Sequence, residues 1–192
     1  MTKRIILLFV TTYILTSFCS KKNFPVINYK TIDGKTINNA FLKSKMTVVL
    51  VGYLGCPAAM TATKDLTDLN DKIKCLEKFE TVFIFENTAE QIKDFNSNET
   101  NNWSALRKYF NLKPILNNVI SDCESETLKT NGKDIIINRQ CRNISKTLHT
   151  IDSPTIFIVK DNKIIDRLKG YYSSTDQSER LEKLNKLINA CS

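Results

Sequence analysis

The sequence contains no internal repeat, no low-complexity tract and no boundary between two domains. Its 192 residues are 42% hydrophobic and 9% aromatic, which is enough apolar material for one buried core. The composition therefore predicts a single globular domain and excludes a disordered chain.

The sequence also lacks an apolar run long enough to span a membrane. Its N-terminal run, "IILLFVTTYILTSF", follows Lys3 and Arg4 and has about fourteen residues, whereas a transmembrane helix needs about 20. A basic flank followed by a short apolar stretch is typical of a secretory signal. We therefore expect the chain to leave the cytoplasm.

A cysteine directly follows this apolar run, in "LTSFCSKKN". It resembles the lipobox of bacterial lipoproteins, in which that cysteine is lipidated and becomes the new N-terminus, although Phe18 departs from the usual small residue. The resemblance implies lipidation at Cys19, a signal at 1–19, a tether at 20–23 and a domain at 24–192. The chain would then be a membrane-anchored lipoprotein of the cell envelope, facing the periplasm or the exterior. The alternatives are ordinary cleavage nearby and an uncleaved anchor.

Positive charge is in excess but is not concentrated in any block. The chain has 28 Lys and Arg against 20 Asp and Glu, a formal charge of +8. Removal of Lys3 and Arg4 with the signal would leave 26 against 20, or +6. Because no basic run is interleaved with aromatic residues, no nucleic-acid partner is expected.

The apolar pattern of the first half predicts alternating strands and helices. Residues 24–45 alternate on both sides of Asp33-Gly34, which predicts a hairpin. The runs "MTVVLVGYL" and "TVFIFEN" predict buried strands, and an apolar stripe after Pro57 predicts the helix between them. This order implies a parallel crossover.

The second half begins with a weaker helical pattern over 101–112. Residues 115–150 have poor periodicity around Asn131-Gly132 and predict an inserted hairpin or loop. "SPTIFIVKDNKIIDRLKGYY" predicts two strands joined at Asp161-Asn162, and "SERLEKLNKLINAC" predicts a closing helix. The whole pattern belongs to the α/β class.

Cys56 occupies the turn between the first buried strand and the helix, in "VGYLGCPAAM". A sulfur at a helix N-terminus meets unpaired backbone N–H groups and the positive end of the helix dipole, which favour the thiolate. The thiolate is the nucleophilic form of cysteine. Cys56 is therefore the candidate catalytic residue.

From about residue 25 to 190 the chain resembles the thioredoxin-like superfamily, and most closely its TlpA-type and AhpC/TSA-like redoxin branch. The likeness rests on "INYKTIDGKTINNAFLKSKMTVVLVGYLGCPAAM" and on "DSPTIFIVKDNKII". It implies a thioredoxin-like fold with a mixed central sheet flanked by helices, an N-terminal hairpin and an insert before the cis-proline strand. It also implies that Pro154 is the cis-proline and that Pro57, Ser153 and Pro154 border the substrate beside Cys56.

The fourth residue of the expected Cys-x-x-Cys motif is Ala59, so the local resolving thiol is missing. Three interpretations stay open: a resolving cysteine elsewhere, resolution by a soluble thiol or a partner protein, or loss of redox turnover. An engineered replacement of cysteine by Ala59 is a further possibility.

Two relatives of the fold suggest other functions. A peroxiredoxin would carry Thr or Ser three residues before the cysteine and Pro seven before it, but Tyr53 and Val49 stand there. Cys56, Met60 and the only histidine, His149, are ligand types suited to copper(I), which the related Sco proteins bind. That family's second cysteine is absent and its histidine lies elsewhere, so no metal is expected.

The remaining cysteines allow several pairings. If Cys19 carries lipid, five are left, so at least one thiol is unpaired within the monomer. Cys123 and Cys141 flank Asn131-Gly132 almost symmetrically, and a hairpin would bring them together as a structural or resolving disulfide. A bridge between Cys75 and Cys191 is also open.

These observations predict an envelope thiol-disulfide oxidoreductase-like protein that uses Cys56 as a single nucleophile and needs no cofactor. Its partners would be protein or small-molecule disulfides and thiols, together with the membrane that holds the lipid. The main alternative is a non-catalytic thioredoxin-like binding module; a copper(I)-handling protein and an atypical peroxiredoxin are weaker candidates.

Overall fold

A computed structural model describes residues 22–72, 79–130, 133–141, 143–150, 154–169 and 177–191. For residues 70–72, 124–130, 133–141, 177 and 187–191 the description covers the backbone. In this part of the chain, no helix is long and apolar enough to cross a membrane. The predicted signal and Cys19 lie outside the described residues.

Strands and helices alternate through most of the chain. The strands are β1 Asn28–Lys30, β2 Thr36–Asn38, β3 Met46–Gly52, β4 Phe79–Phe85, β5 Val119–Ser121, β6 Cys123–Thr130, β7 Lys133–Cys141, β8 Thr155–Lys160 and β9 Lys163–Lys169. The helices are α1 Asn39–Ser44, α2 Pro57–Lys72, α3 Ala89–Asn96, α4 Asn102–Tyr109, α5 Asn143–Leu148 and α6 Gln177–Cys191.

The central sheet has five strands in the order β5-β4-β3-β8-β9. Strands β3, β4 and β5 run parallel, whereas β8 and β9 are antiparallel to their neighbours. All seven residues of β3 are buried, because helices cover both faces of the sheet. The predicted mixed sheet is confirmed.

Side chains that alternate along β3 build two cores, one on each face. Val48 and Leu50 point into the larger core, which α2, α3 and α6 complete with residues such as Leu66, Phe95 and Leu184. Val49 and Val51 point the other way, into a core that α1 and α5 cover. The result is a helix–sheet–helix sandwich in which β3 is buried along its whole length.

Two tight hairpins were predicted from dipeptides, and both are confirmed. Strands β1 and β2 pair around Gly34, whose φ is +88°. Strands β8 and β9 pair through Asp161 and Asn162, with φ values of +52° and +61°, which suit a two-residue hairpin turn. Phe24 donates its backbone N–H to the Asn162 carbonyl at 2.7 Å, so the first described residues pack against that turn.

The poorly periodic region contains an antiparallel hairpin, β6–β7, with Cys123 directly opposite Cys141. It also contains the short strand β5 and helix α5, which the sequence patterns did not predict. Asp122, directly after β5, connects this strand to α5. Its carboxylate accepts hydrogen bonds from the backbone N–H groups of Ile144 and Ser145 at 3.0 and 3.2 Å.

Candidate functional site

Cys56 lies in the turn that joins β3 to α2. Its N–H donates to the Tyr53 carbonyl at 2.9 Å, which closes the turn, and its carbonyl accepts from the Met60 N–H at 3.0 Å, which opens the helix. Pro57 is exposed at the first helical position, where a missing N–H costs nothing. Cys56 is a free, half-buried thiol at the helix N-terminus, as predicted.

Asn87, two residues after the neighbouring strand β4, fixes this turn. Its side chain is fully buried, and its Oδ1 accepts the Leu54 N–H at 2.8 Å. The Leu54 side chain is itself buried in the larger core, so the turn is held from two sides. Sequence reasoning missed Asn87, which lies two residues after β4, because its bond to Leu54 depends on the pairing of β3 with β4.

Gly52, Ala59 and Pro154 meet beneath the turn. A Cβ placed on Gly52 would lie 3.1 Å from the Ala59 Cβ and 3.5 Å from the Pro154 Cβ. Ala59 and Pro154 are both buried. The structure thus brings Pro154 to the turn that carries Cys56, and a side chain at position 52 would be crowded against Ala59.

Ser153 lies outside the described residues, as does its peptide bond to Pro154. The cis geometry of that bond and the substrate roles of Pro57, Ser153 and Pro154 stay predictions.

Tyr53 forms the outer wall of the turn. Its ring lies across Gly55, where an added Cβ would come within 2.8 Å of the Tyr53 Cζ and 3.0 Å of its hydroxyl oxygen. Trp103, in the first turn of α4, packs edge-on against the same ring at a centroid distance of 6.3 Å. Tyr53 remains 41% exposed, so an aromatic face is open to solvent beside Cys56.

The residues of the two alternative functions occupy ordinary structural positions. Val49 is buried in the middle of β3, and Met60 is fully buried in the larger core. His149 is exposed and ends α5 with a φ of +56°. No group of three or more His, Cys, Asp or Glu residues that could hold a metal occurs among the described residues.

Cys123 is disulfide-bonded and half-buried. Its Sγ lies 3.7 Å from the Glu86 carbonyl oxygen, a contact and not a hydrogen bond, since a disulfide sulfur carries no proton. The backbone register places Cys141 opposite it, but the Cys141 side chain lies outside the described residues, so the pairing stays a prediction. The side chains of Cys75 and Cys191 also lie outside them.

Asp122 is almost fully buried beside this cysteine. Burial raises the pKa of the Asp122 carboxyl above its ordinary value, against the opposing effect of hydrogen bonds from Ile144 and Ser145. The carboxylate thus joins the residue after β5 to the start of α5.

Comparison with solved structures shows that this arrangement is a thioredoxin-like fold. A thiol:disulfide interchange protein DsbE from Chlorobium tepidum, described as putative, matches with a TM-score of 0.56, covering 88% of this chain and 95% of that one at 12% identity. A secreted Mycobacterium tuberculosis disulfide oxidoreductase homologous to E. coli DsbE matches with a TM-score of 0.50, covering 83% and 94% at 12% identity. A yeast mitochondrial 1-Cys peroxiredoxin matches with a TM-score of 0.58, covering 87% and 75% at 13% identity.

No protein-family model matches the chain, and no curated protein does. At 12–13% identity the structural likeness establishes the fold, and the expected thioredoxin-like architecture is confirmed. Function must therefore be argued from the residues around Cys56.

Proposed function

We propose that the chain is a thiol-disulfide oxidoreductase-like protein of the cell envelope with Cys56 as its single nucleophile. One observation carries the proposal: a free, half-buried cysteine stands at the start of α2 with Pro154 packed under the same turn. The thioredoxin-like fold adds support, because solved neighbours with this fold are described as a thiol:disulfide interchange protein and a disulfide oxidoreductase.

The chemistry begins with the thiolate form of Cys56 at the N-terminus of α2, since the thiolate is the nucleophilic form of cysteine. It attacks one sulfur of a substrate disulfide. A bond forms between the Cys56 Sγ and that sulfur, the substrate S–S bond breaks, and the second sulfur leaves as a thiolate that water protonates. Pro57, Ser153 and Pro154 border the incoming chain.

Ala59 prevents local release of this mixed disulfide. It is fully buried at the position where a Cys-x-x-Cys enzyme carries its second thiol. Resolution must then come from another cysteine of the chain or from an external thiol. The same observation favours the second candidate function, a binding module that has lost turnover.

A glutathione disulfide assay separates the two functions. With Cys123 kept in its disulfide, we expect one glutathione to be retained on Cys56, identified by peptide mass spectrometry. Cys56→Ser should abolish the adduct on this peptide, whereas Cys75→Ser, which removes a cysteine elsewhere, should not. If Cys56 forms no adduct and is alkylated no faster than free cysteine, the binding module becomes the better account.

The proposed location is the cell envelope, with a lipid anchor on Cys19. Support comes from the basic flank, the short apolar run and the cysteine that follows it, and from neighbours such as the secreted Mycobacterium tuberculosis oxidoreductase. Cys19→Ala should move the protein out of the membrane fraction. Unchanged retention would point to an uncleaved anchor.

A further inference from the structure

Cys56 and Cys123 follow strands that end at the same edge of the central sheet. Gly52 of β3 lies opposite Phe85 of β4, and Phe85 lies opposite Ser121 of β5. Neighbouring strands are about 4.8 Å apart, so Gly52 and Ser121 are separated by about 10 Å. Cys56 comes four residues after Gly52, and Cys123 comes two after Ser121.

Asn87 joins the two cysteine-bearing segments. Its side chain accepts the Leu54 N–H at 2.8 Å, and its backbone carbonyl accepts the Ser121 hydroxyl at 2.6 Å. The Ser121 hydroxyl oxygen in turn accepts the Cys123 N–H at 3.3 Å. One buried residue therefore holds the backbone of Leu54, two residues before Cys56, and the side chain of Ser121, two residues before Cys123.

Glu86 supplies a second connection. Its N–H donates to the Gly52 carbonyl at 2.9 Å, and its own carbonyl oxygen lies 3.7 Å from the Cys123 Sγ. The Cys123 sulfur thus contacts Glu86, which is hydrogen-bonded to Gly52, the last residue of the strand before Cys56. Cys56 and Cys123 are both half-buried residues and belong to neither hydrophobic core.

Cys123 stands at the base of the β6–β7 hairpin, next to the central sheet. Cys123 and Cys141 form the first of the paired positions of β6 and β7, and the backbone pairing continues as far as Thr130 and Lys133. Because that ladder already holds the two strands together, a Cys123–Cys141 bond would not be needed to define the hairpin. Such a bond would lie at the end of the hairpin next to the sheet edge that precedes Cys56.

We propose that Cys123 and Cys141 form a second redox centre that resolves mixed disulfides on Cys56. This inference rests on the proposed function. The Cys123 thiolate attacks the Cys56 Sγ, a Cys56–Cys123 bond forms, and the substrate leaves as a thiolate. The Cys141 thiolate then attacks the Cys123 Sγ, which forms the Cys123–Cys141 disulfide and releases the Cys56 thiolate.

The cycle balances and ends in the state that the structure shows for Cys56 and Cys123. One substrate disulfide is reduced to two thiols, and the Cys123–Cys141 dithiol is oxidised to a disulfide. Cys56 is then free and Cys123 is disulfide-bonded, as in the structure. A thiol reductant, either a small thiol or a reduced dithiol protein, must reduce the disulfide before the next turnover.

The test starts from fully reduced full-length chain, freed of reductant and mixed with glutathione disulfide. Wild type should release two glutathiones per chain, retain none on Cys56 and acquire a Cys123–Cys141 bond. Cys141→Ser should stop one step earlier, with a Cys56–Cys123 bond that peptide mapping identifies. Cys56→Ser should release glutathione at least about tenfold more slowly, because the attacking thiolate is gone.

The Cys123→Ser/Cys141→Ser double variant separates this inference from the proposed function. A stable glutathione on Cys56 in that variant is expected, and its absence would contradict the proposed function itself. If Cys56 is glutathionylated there, but Cys141→Ser also retains glutathione and forms no Cys56–Cys123 bond, the second redox centre is disproved. If circular dichroism shows that the serine variants do not fold, the reaction of wild type with glutathione disulfide is quenched with acid at early times. Peptide mapping must then detect the transient Cys56–Cys123 disulfide, and its absence disproves the second redox centre.

Discussion

Arg180 donates a hydrogen bond of 2.7 Å from its Nε to Oδ2 of Asp65, joining α6 to the helix that begins beside Cys56. The Asp65 side chain is fully buried, and that of Arg180 is 12% exposed. A charge pair so removed from water is costly to break from one side, since the remaining charge stays buried.

Arg180→Ala should therefore destabilise the fold by about 3 kcal/mol, measured by urea unfolding. The matched control is Lys186→Ala in the same helix. Lys186 pairs with Glu182 at 2.6 Å, but both side chains are largely exposed, so no measurable loss is expected. Equal losses of unfolding free energy for the two variants would show that the buried Arg180–Asp65 pair contributes no more to stability than the exposed pair.

Ala59→Cys should restore local resolution. The new thiol would lie in the first turn of α2, three residues after Cys56, as in Cys-x-x-Cys enzymes. Because Ala59 is fully buried against Gly52 and Pro154, the extra sulfur should cost about 1–3 kcal/mol of stability. In the Cys123→Ser/Cys141→Ser background we expect a second glutathione to be released and a disulfide to form between Cys56 and the new thiol. Ala58→Cys, at a half-buried neighbouring position, should not achieve this.

Gly55→Ala should displace the Tyr53 ring, since its new methyl group would overlap the ring atoms. Trp103 is the only tryptophan of the chain, so its fluorescence reports the loss of the edge-on contact without interference. We expect a red-shifted emission for Gly55→Ala and wild-type emission for Tyr53→Phe. In a Tyr53→Ala background, Gly55→Ala should cause no further shift; a full shift there would mean that the methyl group acts elsewhere.

Asn87→Ala should loosen the turn, because the buried Leu54 N–H loses its acceptor at a cost of about 1–3 kcal/mol. Formation of the Cys56–Cys123 bond in the Cys141→Ser chain should slow as well. Asn96 offers the control: it bonds both the N–H and the carbonyl of Ile115, away from Cys56. Asn96→Ala should lower stability but leave the exchange rate unchanged, and similar slowing in both variants would refute a specific role for Asn87.

The pH dependence of stability should carry a contribution from Asp122. Its folded pKa is raised above the ordinary 3.8, so above pH 3.8 the folded state binds more protons than the unfolded state. The Asp122 contribution therefore falls as pH rises from 3.8 through the folded pKa. The free energy of unfolding of Asp122→Asn minus that of wild type should rise across this window. A flat difference would show that the carboxyl titrates alike in both states.

Much of the fold could be predicted because its central residues act locally. The unbroken apolar run of β3 identifies a doubly covered strand, and Gly34 and the Asp161-Asn162 pair identify turns by their tolerance of positive φ. Cys56 and Pro57 identify the start of α2 in the same way. These residues have the same conformational preferences in any fold.

Other features depend on distant partners. Strand β5 has three residues and exists through its pairing with β4, and α5 exists through the carboxylate of Asp122. Helix α3 was missed although Thr88 and Gln91 form a capping box that the sequence displays. Asn87 could not be assigned to the site, because its role arises only when β3 and β5 lie on either side of β4.

Strand β9, the last strand of the central sheet, bears on how the protein behaves at high concentration. An edge strand offers backbone groups to which another chain can add, and repeated addition leads to aggregates. Four of the seven residues of β9 are charged and exposed: Lys163, Asp166, Arg167 and Lys169. A bulge in the pairing of β8 with β9, opposite Ile158 and Val159, twists the strand further. Asn23 forms an antiparallel bridge with Lys163, the first residue of β9. The β9 edge of the sheet is thus a poor template for polymerisation.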